Sequence, residues 1–119
     1  MTKSRKPVEF KGSSLDDLKS FPSNVIKDMG HEIFLVQCGE DPSDWKPMTI
    51  IGPGVREIRV KSKDSIFRSI YVASLGDKIY VLHCFQKKTQ KTPKSDIDIA
   101  SQRLSALIVS LRKPRKRSR

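Results

Sequence analysis

No apolar run approaches the ~18 residues that a membrane-spanning helix needs, which excludes such a helix. No apolar stretch follows the basic residues Lys3, Arg5 and Lys6, so no secretory leader is expected. Cysteine is scarce. Cys38 and Cys84 lack partners at metal-ligand spacing and read as buried thiols in a reducing compartment. No internal repeat is present. Acidic residues are few, 13 against 24 Lys and Arg. These absences predict a cytoplasmic protein with no metal and no cofactor.

What remains is 119 residues with 36% hydrophobic and 31% charged side chains. That suffices for one compact domain, over residues 1–111, burying roughly two-thirds of its unfolded surface. The charge is unevenly distributed. Between Gln86 and Arg119 stand eleven basic and two acidic residues, so +9 of the formal +11 sits in the last third. Such asymmetry points to a polyanionic partner, nucleic acid or an acidic protein; a solubilising surface is the plainer alternative.

Pro7–Phe10 alternates and predicts an edge strand. Ser13 and Ser14, followed by Asp16 and Asp17, predict a helix start that Pro22 interrupts. Ser23 opens a second helix, with Val25, Ile26, Met29, Ile33 and Val36 at helical spacing, ending near Gly39. Pro42, Pro47, Gly52, Pro53 and Gly54 predict loop from Asp41 to Gly54. Three strands follow, over 55–60, 66–73 and 78–85, and their short connections predict an antiparallel meander. A final helix starts at Ser95 with a Ser95–Asp98 capping pair. Its apolar face is Ile97, Ala100, Leu104, Leu107, Ile108 and Leu111. Residues 112–119 hold six basic side chains and no apolar ones, and are expected to be a disordered tail. The order β-α-α-β-β-β-α predicts an α+β fold: a small antiparallel sheet, two N-terminal helices and one C-terminal helix.

The phrases Val55-Arg56-Glu57-Ile58-Arg59-Val60, Phe67-Arg68-Ser69-Ile70-Tyr71-Val72 and Phe85-Gln86-Lys87-Lys88-Thr89-Gln90-Lys91-Thr92-Pro93, in that element order, resemble the phage-derived HigB-like branch of the RelE/ParE toxin superfamily. The resemblance covers most of residues 6–111. It implies a RelE-like fold and the toxin of a type II toxin–antitoxin pair, usually an endoribonuclease that cleaves mRNA on the ribosome. It also implies a cognate antitoxin, with a helix-turn-helix. The basic tail lies outside the family-like region.

Cleavage of this kind proceeds by attack of a 2′-hydroxyl on its own phosphate and needs no metal. The protein must orient the attack and neutralise charge on phosphorus, tasks suited to guanidinium and ammonium groups. If Lys63-Asp64 and Leu75-Gly76 are two-residue turns, Arg59 lies opposite Arg68 and Arg68 opposite His83. These three would share a patch near Lys87 and Lys88. Ile70, Val72, Ile79 and Val81 on the same face would seat the last helix, and Tyr71 would be core on the other. A one-residue slip destroys the grouping.

Arg59, Arg68, Lys87, Lys88 and His83 are therefore the catalytic candidates, and Lys91, Lys94 and Phe85 the candidates for holding RNA. Each has an alternative. Arg68 would otherwise be half-buried and paired to Glu57, Arg59 an ordinary exposed strand charge, and the lysines a solvated run. His83 would be a structural strand histidine and Phe85 a core residue. His31 reads as surface, and Trp45 either caps the core or meets an antitoxin. Two further functions stay open: a ParE-like inhibitor of gyrase without nuclease chemistry, and a catalytically inactive nucleic-acid-binding module.

Overall fold

The computed structural model describes residues 5–112. Its elements are β1 (Val8–Phe10), α1 (Ser14–Lys19), α2 (Ser23–Gln37), β2 (Trp45–Pro47), β3 (Val55–Ser62), β4 (Ser65–Val72), β5 (Ile79–Lys87) and α3 (Lys94–Arg112). The five strands form one sheet in the order β1-β5-β4-β3-β2. The expected antiparallel meander is present in β3, β4 and β5. The sheet as a whole is mixed, because β1 pairs in parallel with β5, Val8 beside Ile79 and Phe10 beside Val81. Both helices and the meander intervene between β1 and β5, so no hairpin forces them antiparallel. β2 is a strand where loop was expected. It pairs Trp45–Pro47 against Ile58–Arg56, and Pro47 is tolerated there because β2 is an edge strand, whose ladder a missing N–H does not break.

Helices cover both faces of the sheet. On one face Leu18 of α1 and Val25, Met29, Ile33 and Val36 of α2 pack on Ile58, Val60, Phe67 and Tyr71. On the other, Ala100, Leu104 and Leu107 of α3 pack on Val55, Ile70, Val72 and Leu82. Full burial of such aliphatic side chains contributes about 1.5–3 kcal/mol each. Every residue of the central strand β4 is consequently buried. The architecture is α+β and consistent with the small RelE-like fold.

The first hairpin has the expected register: Arg59 faces Arg68 and Ser62 faces Ser65 across the Lys63–Asp64 turn. Lys63 adopts φ 57°, the positive value such a turn asks of its first residue. The second hairpin differs. Residues 73–78 connect β4 to β5, so Arg68 faces Phe85 and Ile70 faces His83. The displacement is even and keeps Arg68 and His83 on one face. A bulge then sets Tyr71 opposite Val81 and leaves Leu82 as the extra residue. Beyond it the alternation is inverted. Ile79 and Val81 join the α1/α2 core instead of seating α3, and Tyr80 and Leu82 take that place.

α3 departs from expectation at both ends. It begins at Lys94, and Asp98 takes the Lys94 ammonium at 3.0 Å in place of a Ser95 cap. Leu111, expected on the apolar face, is 49% exposed in the last turn of the helix. Arg112 is still helical, and residues 113–119 of the expected basic tail lie outside the described residues. Among the described residues no helix is long and apolar enough to cross a membrane.

Candidate functional site

β3 and β4 set Arg59 and Arg68 side by side, and strand alternation puts Glu57 on the same face. Arg68 and Glu57 are fully buried. The Glu57 carboxylate accepts from Arg59 Nε at 2.9 Å and lies 3.7 Å from Arg68 Nη1. Its other oxygen accepts from the Thr92 hydroxyl at 2.7 Å, and that hydroxyl accepts from Arg68 Nη1 at 3.1 Å. Each arginine also holds the segment between β5 and α3. Arg59 Nη2 donates to the Gln90 carbonyl at 2.7 Å, and Arg68 Nη2 donates to the Thr89 carbonyl. Burial lowers the pKa of Arg68 from its ordinary value, against the pull of the Glu57 carboxylate. At formal charges the two guanidiniums and the one carboxylate carry a net +1. The Glu57 partnership weighed for Arg68 is present, with complete rather than half burial.

His83 stands beside this network on the same side of the sheet. Its Nε2 lies 2.7 Å from Asp96 Oδ1, with both side chains less than a tenth exposed. Asp96 sits in the first turn of α3, where a carboxylate suits the helix dipole. Its second oxygen and His83 Nδ1 have no hydrogen-bond partner among the described residues. Lys87 Nζ lies 4.0 Å from that second oxygen. Phe85 is a core residue whose ring stacks on His83 at 5.0 Å and lies 5.8 Å beneath the Arg68 guanidinium.

The remaining candidates are exposed. Lys87, Lys88, Lys91 and Lys94 form a crest from the end of β5 to the start of α3. Lys88 meets Asp64 at 3.5 Å and Lys94 meets Asp98, all on well-exposed side chains. Such pairs contribute about 1 kcal/mol at most, so the ammonium groups exchange partners readily. Beside the crest runs a groove of about 810 Å³ between Ile50, Lys91, Pro93, Lys94 and Ile97. Ile50 is 74% exposed there.

The structure thus brings Arg59 and Arg68 together, keeps His83 close by on a separate partner, and leaves the lysines outside. Asp96 was not singled out from sequence. A first-turn acid is the ordinary signal of a helix start, and nothing local distinguishes one that reaches a histidine. Thr89 and Gln90 act through main-chain carbonyls, which carry no side-chain signature. Trp45 lies half-buried on edge strand β2 with the Arg56 guanidinium 3.9 Å from its ring centre, and His31 is exposed on α2 as expected. Cys84 is buried, whereas Cys38 is only partly so, because it caps α2 near the surface. Among the described residues no group of three or more His, Cys, Asp and Glu is arranged to hold a metal ion.

No curated protein is a significant match to the chain. The family model described as Phage derived protein Gp49-like (DUF891) matches residues 16–105. That span runs from α1 into α3 and includes Glu57, Arg59, Arg68, His83, the crest lysines and Asp96. With about three-quarters of its length so matched, the chain belongs to the phage-derived Gp49-like family, a toxin–antitoxin-related family.

Proposed function

We propose that the protein is the toxin of a type II toxin–antitoxin pair and acts as a metal-independent endoribonuclease on mRNA at the ribosome. The observation that carries this reading is the juxtaposition of four exposed lysines with a pair of arginines, Arg68 buried and Arg59 partly so, that has one positive charge in excess. In the proposed reaction the 2′-oxygen attacks the adjacent phosphorus, the bond to the 5′-oxygen breaks, and a 2′,3′-cyclic phosphate forms. One proton leaves the 2′-hydroxyl and one reaches the departing 5′-oxygen. Clustered cations stabilise the added charge on phosphorus, and Lys87, at the end of β5, would be the crest lysine held beside the His83–Asp96 pair. Asp96 would hold both His83 and Lys87 in place. A cognate antitoxin with a helix-turn-helix and an acidic surface would cover the crest, since complementary potential favours that pairing.

Induced expression followed by primer extension tests the reading. New mRNA 5′ ends within translated frames support cleavage. A DNA-damage response without them supports gyrase inhibition instead. Cleavage of purified mRNA at the same sites and rate would remove the ribosome requirement. The burial of Arg68 and His83 favours a second reading, a nucleic-acid-binding module without cleavage. Arrested cells with intact mRNA and RNA-bound protein would decide for it.

A further inference from the structure

The arginine pair is incompletely satisfied. Arg68 has no exposed surface, yet its Nε–H has no hydrogen-bond partner among the described residues. One carboxylate, Glu57, lies between two guanidinium groups. The other acceptors are neutral: the Thr92 hydroxyl and the carbonyls of Thr89 and Gln90, two consecutive residues whose side chains are exposed. The segment they belong to has no helix or strand structure between β5 and α3. A neutral carbonyl offers a guanidinium no opposite charge, whereas an anionic oxygen adds coulombic attraction to the same N–H bond. Arginine's planar fork also takes two oxygens of one phosphate at once.

We infer that Arg59 and Arg68 form a phosphodiester-binding site that the chain's own segment 88–92 keeps capped, and that an entering phosphate displaces the Thr89 and Gln90 carbonyls. The charge balance fits: a phosphodiester brings one negative charge, and the Arg59–Glu57–Arg68 trio has one positive charge in excess. The unbonded Nε–H supplies a donor that no group among the described residues uses. Lys88 and Lys91 are carried on the cap itself, so its displacement moves them with the incoming backbone. Thr92 is the hinge-side anchor, bonded to both Glu57 and Arg68. The site rests on the RNA-directed reading only for the source of the phosphate.

The Nε–Hε resonances of Arg59 and Arg68, followed by nitrogen-15 NMR on the full chain, test this, with Arg68→Lys identifying the Arg68 signal. Titration with a short single-stranded RNA should shift the Arg68 signal saturably, and inorganic phosphate should do so more weakly. Thr92→Val, which frees the anchor, should tighten RNA binding several-fold, and Thr92→Ser should restore the parent affinity. RNA that perturbs Lys87 and Lys88 but leaves the Arg68 signal in place would overturn the site while sparing the RNA reading. A response to phosphate with none to RNA would uphold the site and sink the RNA reading. No response to either, or weaker RNA binding by Thr92→Val, would make the arginine pair purely structural.

Discussion

The two faces of the sheet follow different rules. Under α1 and α2 the core is aliphatic and aromatic, with Tyr71 and Cys84 its only ionisable members among the described residues. Under α3 the apolar packing of Ala100, Leu104 and Leu107 gives way toward the crest to Glu57, Arg68, His83 and Asp96, all buried. Taking charges out of water is costly unless they are paired and bonded, and replacing such groups by well-packed apolar ones is often neutral or stabilising. One face is thus built for stability alone. The other accepts charge burial beside its lysine crest, and buried charged groups at such a surface are candidates for function.

The largest expected effect comes from breaking the charged face. Arg68→Ala leaves Glu57 buried beside Arg59 alone and should lose about 3–5 kcal/mol in urea unfolding. Arg68→Met with Glu57→Met should lose less than Arg68→Ala, since both fully buried charges go together and the partly exposed Arg59 keeps its bond to the Gln90 carbonyl. A loss below about 1 kcal/mol for Arg68→Ala would mean that water reaches the pair. Because this variant compromises the fold, it does not isolate any chemical role of Arg68.

The apolar face offers the contrast. Met29→Ala should cost about 2–5 kcal/mol through the cavity it opens. The Arg68 Nε–Hε resonance should stay in place; a shift as large as ligand produces would show that the two faces are coupled.

Cys84 sharpens the comparison through pH. Burial pushes its thiol up to about 12 from an ordinary 9.0. The unfolded chain therefore loses this proton first. The contribution is fully present below pH 9 and falls by about 1.4 kcal/mol per unit as pH rises toward 12. Unfolding midpoints at pH 8 and 10.5 should fall further apart for the parent than for Cys84→Val. Equal separations would mean that the thiol ionises freely in the folded state.

The smallest change in stability is expected at the crest. Lys87→Ala with Lys88→Ala should stay within about 0.5 kcal/mol of the parent. If the lysines contact the reacting phosphate, cleavage should fall about 10²–10³-fold. Full toxicity at equal expression would remove them from the site.

Much of this was legible in the chain because it depends on short-range periodicity. Val25, Met29, Ile33 and Val36 share one face of α2 by helical spacing alone, and the Lys63–Asp64 turn is short enough to align Arg59 with Arg68. The concentration of positive charge after Gln86 is a property of composition. So is the exposure of the lysines, whose ammonium groups resist burial.

The tertiary structure alone decided what happens to the charged face. Alternation tells which residues share a face but not what covers it, so the burial of Arg68 depended on where Thr92 and the 88–93 segment come to lie. The bulge at Leu82 leaves no local mark, because apolar residues continue through Ile79–Leu82 and only pairing with Ile70 and Tyr71 reveals the extra residue. His83 met Asp96 because α3 crosses that face, a contact between residues on separate elements. The bonds from Arg59 and Arg68 to the Gln90 and Thr89 carbonyls end on backbone atoms that every residue possesses. Only their position in space makes them partners.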